Sequence, residues 1–166
     1  MEVTRVAAGI IRSGDDILLV EQKSDGRQYW SLPGGVVEPH ETAVQGLLRE
    51  VTEETGMRIT DIGRIAHVTE IRSQDLEWVV IATVFEVAQW HADTDALWSC
   101  DPAGEVIACK FLPVSLALEY LSALPWPSMS EPITDHLNGA GRPYYAYVQS
   151  NGRQQRAGED VSGIIR

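Results

Sequence analysis

The sequence predicts an α+β fold, a mixed β-sheet lying between helices. Three observations lead there. Strand-like segments outnumber helical ones, helices interrupt the strand order, and one sharply amphipathic helix sits early in the chain. The chain has 166 residues, 44% hydrophobic and 22% charged, which suffices for one domain with a real core. Residues 1–149 are expected to form that domain and residues 150–166 a polar C-terminal tail.

The β-branched run Val3–Ser13 predicts a first strand, Gly14–Asp16 a turn, and Ile17–Lys23 the returning strand. After a turn at Ser24–Arg27, Tyr29–Leu32 reads as a short strand stopped by Pro33, Gly34 and Gly35. Thr42–Thr55 carries the strongest helical pattern, closed by Gly56 just past its end, with Thr42 or Glu41 available to cap its start. Met57–Ile71 and Leu76–Trp90 predict a long antiparallel pair, and His91–Gly104 a polar loop. Glu105–Pro113 follows as a strand, Val114–Ala123 as a second helix, Met129–Gly139 as a short third helix and Arg142–Val148 as an aromatic strand. From Gln149 onward little can be buried, and packing of this tail on a partner chain is expected, as in a possible homodimer.

On a wheel of roughly 100° per residue, with Glu50 at 0°, Glu54 falls near 40° and Glu53 near 300°. Val44, Leu47, Leu48, Val51 and Thr55 form the buried stripe. Three carboxylates on one face repel one another unless a cation sits among them, and a hard divalent ion suits carboxylate oxygens. The alternative is a solvated acidic face. Glu53 and Glu54 are both expected to face solvent and metal. Gly46 interrupts the same stripe at a cost of about 1 kcal/mol relative to alanine, which suggests a close approach to the backbone there.

The net charge of −11 argues against nucleic acid and anionic membrane as partners, since phosphate contacts need clustered Lys and Arg. An anionic small substrate would need a bridging cation. Cys100 and Cys109 provide neither a disulfide framework nor zinc-ligand spacing, consistent with a reduced, cytoplasmic setting. The start MEVTRVAAGI lacks a signal-peptide pattern, and the longest apolar run, Val79–Phe85, is far too short to span a bilayer.

The stretch from Gly35 to Met57 resembles the Nudix box, G-x5-E-x7-R-E-U-x-E-E-x-G-U, where U is a bulky apolar residue. Gly35, Glu41, Arg49, Glu50, Glu53, Glu54 and Gly56 occupy the fixed positions, with Val51 and Met57 at the apolar ones. A chance match is on the order of one in ten million per chain. Upstream, VAAGII, ILLVEQK and YWSLPGG also look like a Nudix approach to the box; downstream, EVIACKFLPV is a weaker likeness. The resemblance implies an α/β/α sandwich. It also implies hydrolysis of a nucleoside diphosphate linked to another moiety, with dependence on Mg²⁺ or Mn²⁺.

By that resemblance Glu50 and Glu54 are metal ligands, and Glu53 is either a ligand or the base that activates water. Gly35 would bring a backbone carbonyl to the metal, where a side chain would obstruct. Arg49 would orient the neighbouring glutamates. Glu41 would either brace the helix start, where negative charge is favoured, or touch the metal. The catalytic group is thus Glu53, Glu50 and Arg49, the metal group Gly35, Glu50, Glu53 and Glu54, and the structural positions Glu41 and Gly56. Some relatives instead draw the base from a later loop.

Outside the box, Lys23 could touch phosphate, Glu105 could add a carboxylate near the site, and Trp78 could line a substrate pocket. Each is also readable as surface or packing. Trp30, Trp90, Trp98 and Trp126 read as packing residues, His40 and His67 as surface or satisfied histidines, and Met129 as filler. The proline that tends to mark ADP-ribose-type members is missing from Ile71–Ser73. The tyrosine of dinucleoside-polyphosphate-type members is missing at Gln74 and Asp75. Nucleoside triphosphates, including damaged ones, or nucleotide sugars remain. A non-catalytic nucleotide-binding module is the rival reading, against which stand the retained Glu50, Glu53 and Glu54.

Overall fold

The computed structural model describes residues 1–24, 26–92 and 104–158. In order, they form β1 (Glu2–Ile10), β2 (Arg12–Ser13), β3 (Asp16–Ser24), β4 (Arg27–Ser31), β5 (Gly34–Val36), α1 (Ala43–Thr55), β6 (Arg58–Ser73) and β7 (Trp78–His91). Then come β8 (Val106–Pro113), α2 (Val114–Ser122), α3 (Pro127–Leu137), β9 (Tyr144–Ser150) and β10 (Arg153–Arg156). One mixed sheet runs β10–β9–β6–β7–β1–β5, with β1–β7 and β6–β9 parallel. A second sheet joins β2, β3 and β4, and β8 pairs with β3.

Alternation along the strands feeds two cores. Ala7 and Leu18 pack with Leu47 and Val51 of α1, Met57 and Phe85. Their neighbours Ile10, Ile17 and Leu19 turn the other way, toward Ala117 and Leu121 of α2 and Ile133 of α3. Helices therefore cover both faces of the strands, and the predicted α+β arrangement of a mixed sheet between helices is the one observed.

The strand expected over Val3–Ser13 is two strands. Ile11, fully buried, marks the step from β1 in one sheet to β2 in the other; its carbonyl accepts from the Leu18 N–H at 2.9 Å, and Arg12 and Ser13 pair back onto β3. Pro33, Gly34 and Gly35, read as a stop, instead lead into β5, which pairs antiparallel to β1. Gly34 has φ 143°, and a Cβ there would lie 2.2 Å from the Ala7 carbonyl oxygen, so only glycine allows this approach. Beyond Gln149 the polar segment needs no partner chain to gain order: Arg153–Arg156 add β10 to the chain's own sheet beside β9. The expected polar loop at 93–103, with Trp98 and Cys100, lies outside the described residues. Among the described residues no helix is long and apolar enough to cross a membrane.

Candidate functional site

Helix α1 begins with a reciprocal cap. Thr42 Oγ1 accepts from the Gln45 N–H at 3.2 Å, and Gln45 Oε1 accepts from the Thr42 N–H at 2.8 Å. It ends at Gly56, in the left-handed region at φ 72°. Between these caps the acidic face is organised by one cation. Arg49 donates to both oxygens of Glu41, at 2.8 and 2.9 Å, and to the Val36 carbonyl at 2.9 Å. It also donates to Glu50 Oε1 at 2.8 Å and Glu53 Oε2 at 3.3 Å. Arg49 thus relieves the carboxylate repulsion from within the chain.

Glu41 is clamped by this bidentate pair and accepts a further hydrogen bond from the Glu38 N–H at 3.0 Å. The Arg49 bonds first, and that N–H second, hold the Glu41 carboxyl down at about 2. The Arg49 guanidinium is in turn raised above its ordinary range, chiefly by Glu41. Gly46 faces this brace: a Cβ there would lie 3.0 Å from the Val37 side chain and 3.3 Å from Glu41 Oε2. The close approach expected at Gly46 is therefore made by the chain itself. Gly35 is needed for a different reason, since a Cβ on it would lie 2.6 Å from the Glu50 carboxylate carbon.

Glu54 departs from expectation. It is 5% exposed rather than solvent-facing, and it accepts from the Gly34 N–H at 2.8 Å and from Gln22 Nε2 at 3.4 Å. Leu47 and Val51 occupy the buried stripe beside it. A wheel drawn for α1 alone could not show that β3 and β5 press against the acidic edge.

Gln22 and Gly34 also form one wall of a cavity of about 230 Å³ between the mixed sheet and helices α2 and α3. Small and β-branched side chains on alternate positions of β1 and β7, including Ala8, Val80, Ala82 and Val84, leave the space. Leu121, Leu124 and Ile133 close it from the helices. Among the described residues no charged side chain lines it. His67 and Thr69, two apart on β6, present the polar part of its sheet wall. His67 Nδ1 and Thr69 Oγ1 are buried with no hydrogen-bond partner among the described residues. The expectation of a surface or satisfied His67 is thus overturned: the residue is 3% exposed. Burial first, and His136 second, bring it down to about 4, so the imidazole is neutral at pH 7. Nothing in the sequence marked this pair beyond their shared strand face.

The NUDIX domain family model matches residues 3–135. This chain belongs to the Nudix family. It is 30% identical over 131 residues to Nudix hydrolase 6 of Arabidopsis thaliana, a match covering 76% of this chain and 43% of that one. It is 31% identical over 110 residues to the CTP pyrophosphohydrolase of Escherichia coli, covering 58% and 82%. The chain thus spans less than half the length of the first relative and most of the second. Its fold superposes on the MutT protein of Bacillus halodurans with a TM-score of 0.65, at 18% identity, covering 93% of this chain and 95% of that one.

Within this Nudix fold the box residues divide in two. Glu41, Arg49, Glu50 and Glu53 form one hydrogen-bonded group, and Glu54 turns to β3 and β5. Among the described residues, the acidic side chains whose ligand atoms converge within 4.8 Å are instead Glu38 and Glu41, with His40. That trio makes a poorer ion site, because Arg49 and the Glu38 N–H already occupy both Glu41 oxygens. Lys23 and Glu105 are exposed neighbours, joined by a backbone hydrogen bond of 2.8 Å. Trp78 opens β7 opposite Glu2 and does not line the 230 Å³ cavity. Trp30 stacks on Tyr120 and Trp90 on Phe111, as packing residues do. Trp126 meets Tyr29 edge-on, carries the Arg27 guanidinium 5.9 Å from its ring centre and lines a more open recess. Met129, read as filler, lines both spaces.

Proposed function

We propose that this chain hydrolyses a pyrophosphate bond in a nucleoside triphosphate or nucleotide sugar, using Mg²⁺ or Mn²⁺. One observation carries the reading: the carboxylate face and the neutral cavity share Gln22 and Gly34. Both residues bond Glu54, and both line the cavity. A substrate with a charged end and a neutral end would meet a matching surface at each.

The donor set suits a hard divalent ion. Glu50, Glu53, Glu54 and the Gly35 carbonyl would hold it, all oxygen donors, with the bare Gly35 leaving the Glu50 carboxylate against the backbone. Each carboxylate offers about four lone-pair positions, so the Arg49 bonds do not exhaust Glu50 or Glu53. When bound, the ion would neutralise pyrophosphate charge and acidify water. The chain's own residues do the positioning. Arg49 sets Glu50 and Glu53, the Gly34 N–H sets Glu54, and the cavity holds the neutral end away from water. Water oxygen bonds to phosphorus as the bridging P–O bond breaks, and the proton goes to Glu53, whose side chain is 36% exposed. The E. coli relative's name, CTP pyrophosphohydrolase, supports a nucleoside triphosphate.

The test is phosphate and pyrophosphate release from a nucleotide panel with Mg²⁺ or Mn²⁺. Release that chelator abolishes and Glu54→Gln removes supports the proposal. A panel bound but never cleaved would instead make the chain a nucleotide-binding module. Metal should also raise the melting temperature by binding the folded state; no shift on titration would count against the carboxylate site.

A further inference from the structure

The run Val79–Phe85 carries no charge and a single hydroxyl, the pattern of a strand covered on both faces. Val80, Ala82 and Val84 turn to the cavity under α2 and α3, and Phe85 packs with α1. Val79, Ile81 and Thr83 point to the α1 side of the sheet. They are only half-buried, and Val79 and Ile81 join neither core.

Register extends this patch across four strands. One row runs Val3, Val79, Arg72 and Val148, from β1 through β7 and β6 to β9. The next runs Arg5, Ile81, Glu70 and Ala146, and a third Thr83, Val68 and Tyr144. Val3 is 49% exposed and Tyr144 51%. Arg5 is turned aside, donating to the Glu38 and Glu41 carbonyls at 2.8 and 3.0 Å. The charges left in the middle of the patch are Glu70 and Arg72, two apart on β6. The Tyr144 hydroxyl donates to Glu70 Oε2 at 3.1 Å, and Arg72 is exposed with no ion-pair partner among the described residues.

We propose that this open face is the interface of a homodimer, in which β6 lies antiparallel across β6 of a second copy and Glu70 pairs with the partner subunit's Arg72. A twofold axis makes one such Glu–Arg pair its own complement, which is what a second copy offers. With the axis in the plane of contact, perpendicular to the strands and between the first two rows, each of these rows meets the other. Arg72 then faces the partner's Glu70, Val79 the partner's Ile81, and Val148 the partner's Ala146. Stacked sheets lie about 10 Å apart with their strands within about 30° of one another, so contacts near β6 and β7 stay in line. Because α1 covers the Phe85 end of the face, antiparallel stacking sets the two α1 helices at opposite ends of the contact. Copies with a net charge of −11 repel one another at long range, so the two Glu–Arg contacts would fix the register against that repulsion. The pairing does not depend on what α1 binds.

Sedimentation equilibrium of the full chain over a dilution series tests this. Wild type is expected to form dimers. Arg72→Glu sets carboxylate against carboxylate at both contacts, and Glu70→Arg sets guanidinium against guanidinium. Each should weaken self-association by about 100-fold. Mixed together, the two variants are complementary and should form a dimer with one copy of each. The double variant E70R/R72E is again complementary to itself and should self-associate within about tenfold of wild type. A monomeric wild type overturns the proposal; the face would then belong to a different protein or to a segment of this chain outside the described residues. A dimer that Arg72→Glu leaves intact also overturns it, because another surface must then hold the copies together. So does a mixture of the two folded variants that yields no mixed dimer. Arg72 is exposed, so Arg72→Glu keeps the test decisive even if Glu70→Arg fails to fold.

Discussion

The α1 face and the β6 wall solve opposite problems about two strands apart. On α1 the polar groups are charged, crowded and already bonded: Arg49 alone engages three carboxylates and a carbonyl. On the cavity side of β6 the polar groups are neutral and sparse, and two of their atoms are buried with no hydrogen-bond partner among the described residues. The difference teaches where preorganisation is built. A charged centre is held ready by internal bonds that survive without a ligand. The neutral wall holds its geometry by packing.

The largest expected effect tests the charged side. Glu53→Gln and Glu54→Gln should each lower kcat by roughly 10²–10³-fold. Glu53→Gln should leave the melting temperature nearly unchanged. Glu54→Gln keeps a carbonyl to accept from Gly34, so it too should fold; a collapse of its melting temperature would mean that the buried carboxylate is chiefly structural.

Gly34 joins the two regions, and Gly34→Ala should damage both. Its Cβ would collide with the Ala7 carbonyl and Ala8, so stability should fall by roughly 3 kcal/mol or more in urea unfolding. A variant of near wild-type stability would show that β5 is not held against β1 as described.

Acid tests the neutral wall. His67 titrates at about 4 when folded against an ordinary 6.5, so the unfolded chain binds the extra proton between those values. Its contribution is whole above pH 6.5 and is lost as pH falls toward 4, up to about 3 kcal/mol. His67→Phe should flatten that part of the stability profile. An unchanged slope would assign the acid sensitivity elsewhere. Glu41 acts in a lower window: its contribution stands above its ordinary value and disappears only as pH falls through about 2.

The smallest effect concerns Arg49→Met, which leaves Glu41, Glu50 and Glu53 without their cation. Stability should fall by about 2 kcal/mol at low salt, and Mg²⁺ should recover part of it. If Mg²⁺ recovers none, the acidic face does not take up the ion.

Much of the charged region was legible in the sequence because its signals are local. The stop at Gly56 and the carboxylate stripe follow from helical spacing, whereas the start stayed open between Thr42 and Glu41 and the structure places the cap at Thr42. The identity of Arg49's partners was partly legible too, since Glu50 and Glu53 lie within one turn of it. The brace to Glu41 was left open between two roles, because the chain between Glu41 and Arg49 includes a helix start whose entry angle spacing does not define. The inward turn of Glu54 was not legible, since its partners Gln22 and Gly34 come from strands 32 and 20 residues away.

The cavity shows the limit most clearly. Alternation placed His67 and Thr69 on one strand face, but which face the fold covers, and with what, depends on α2 and α3 docking from more than forty residues downstream. By itself the sequence determined the helix, its stop at Gly56, its acidic stripe and the family to which they point, because backbone hydrogen bonding and side-chain period act over a few residues. Only the tertiary structure decided that Glu54 is buried, that β5 and β10 join the sheet and that His67 and Thr69 are buried beside a cavity. Those outcomes depend on which distant surfaces exclude water together, and spacing along a chain does not encode that.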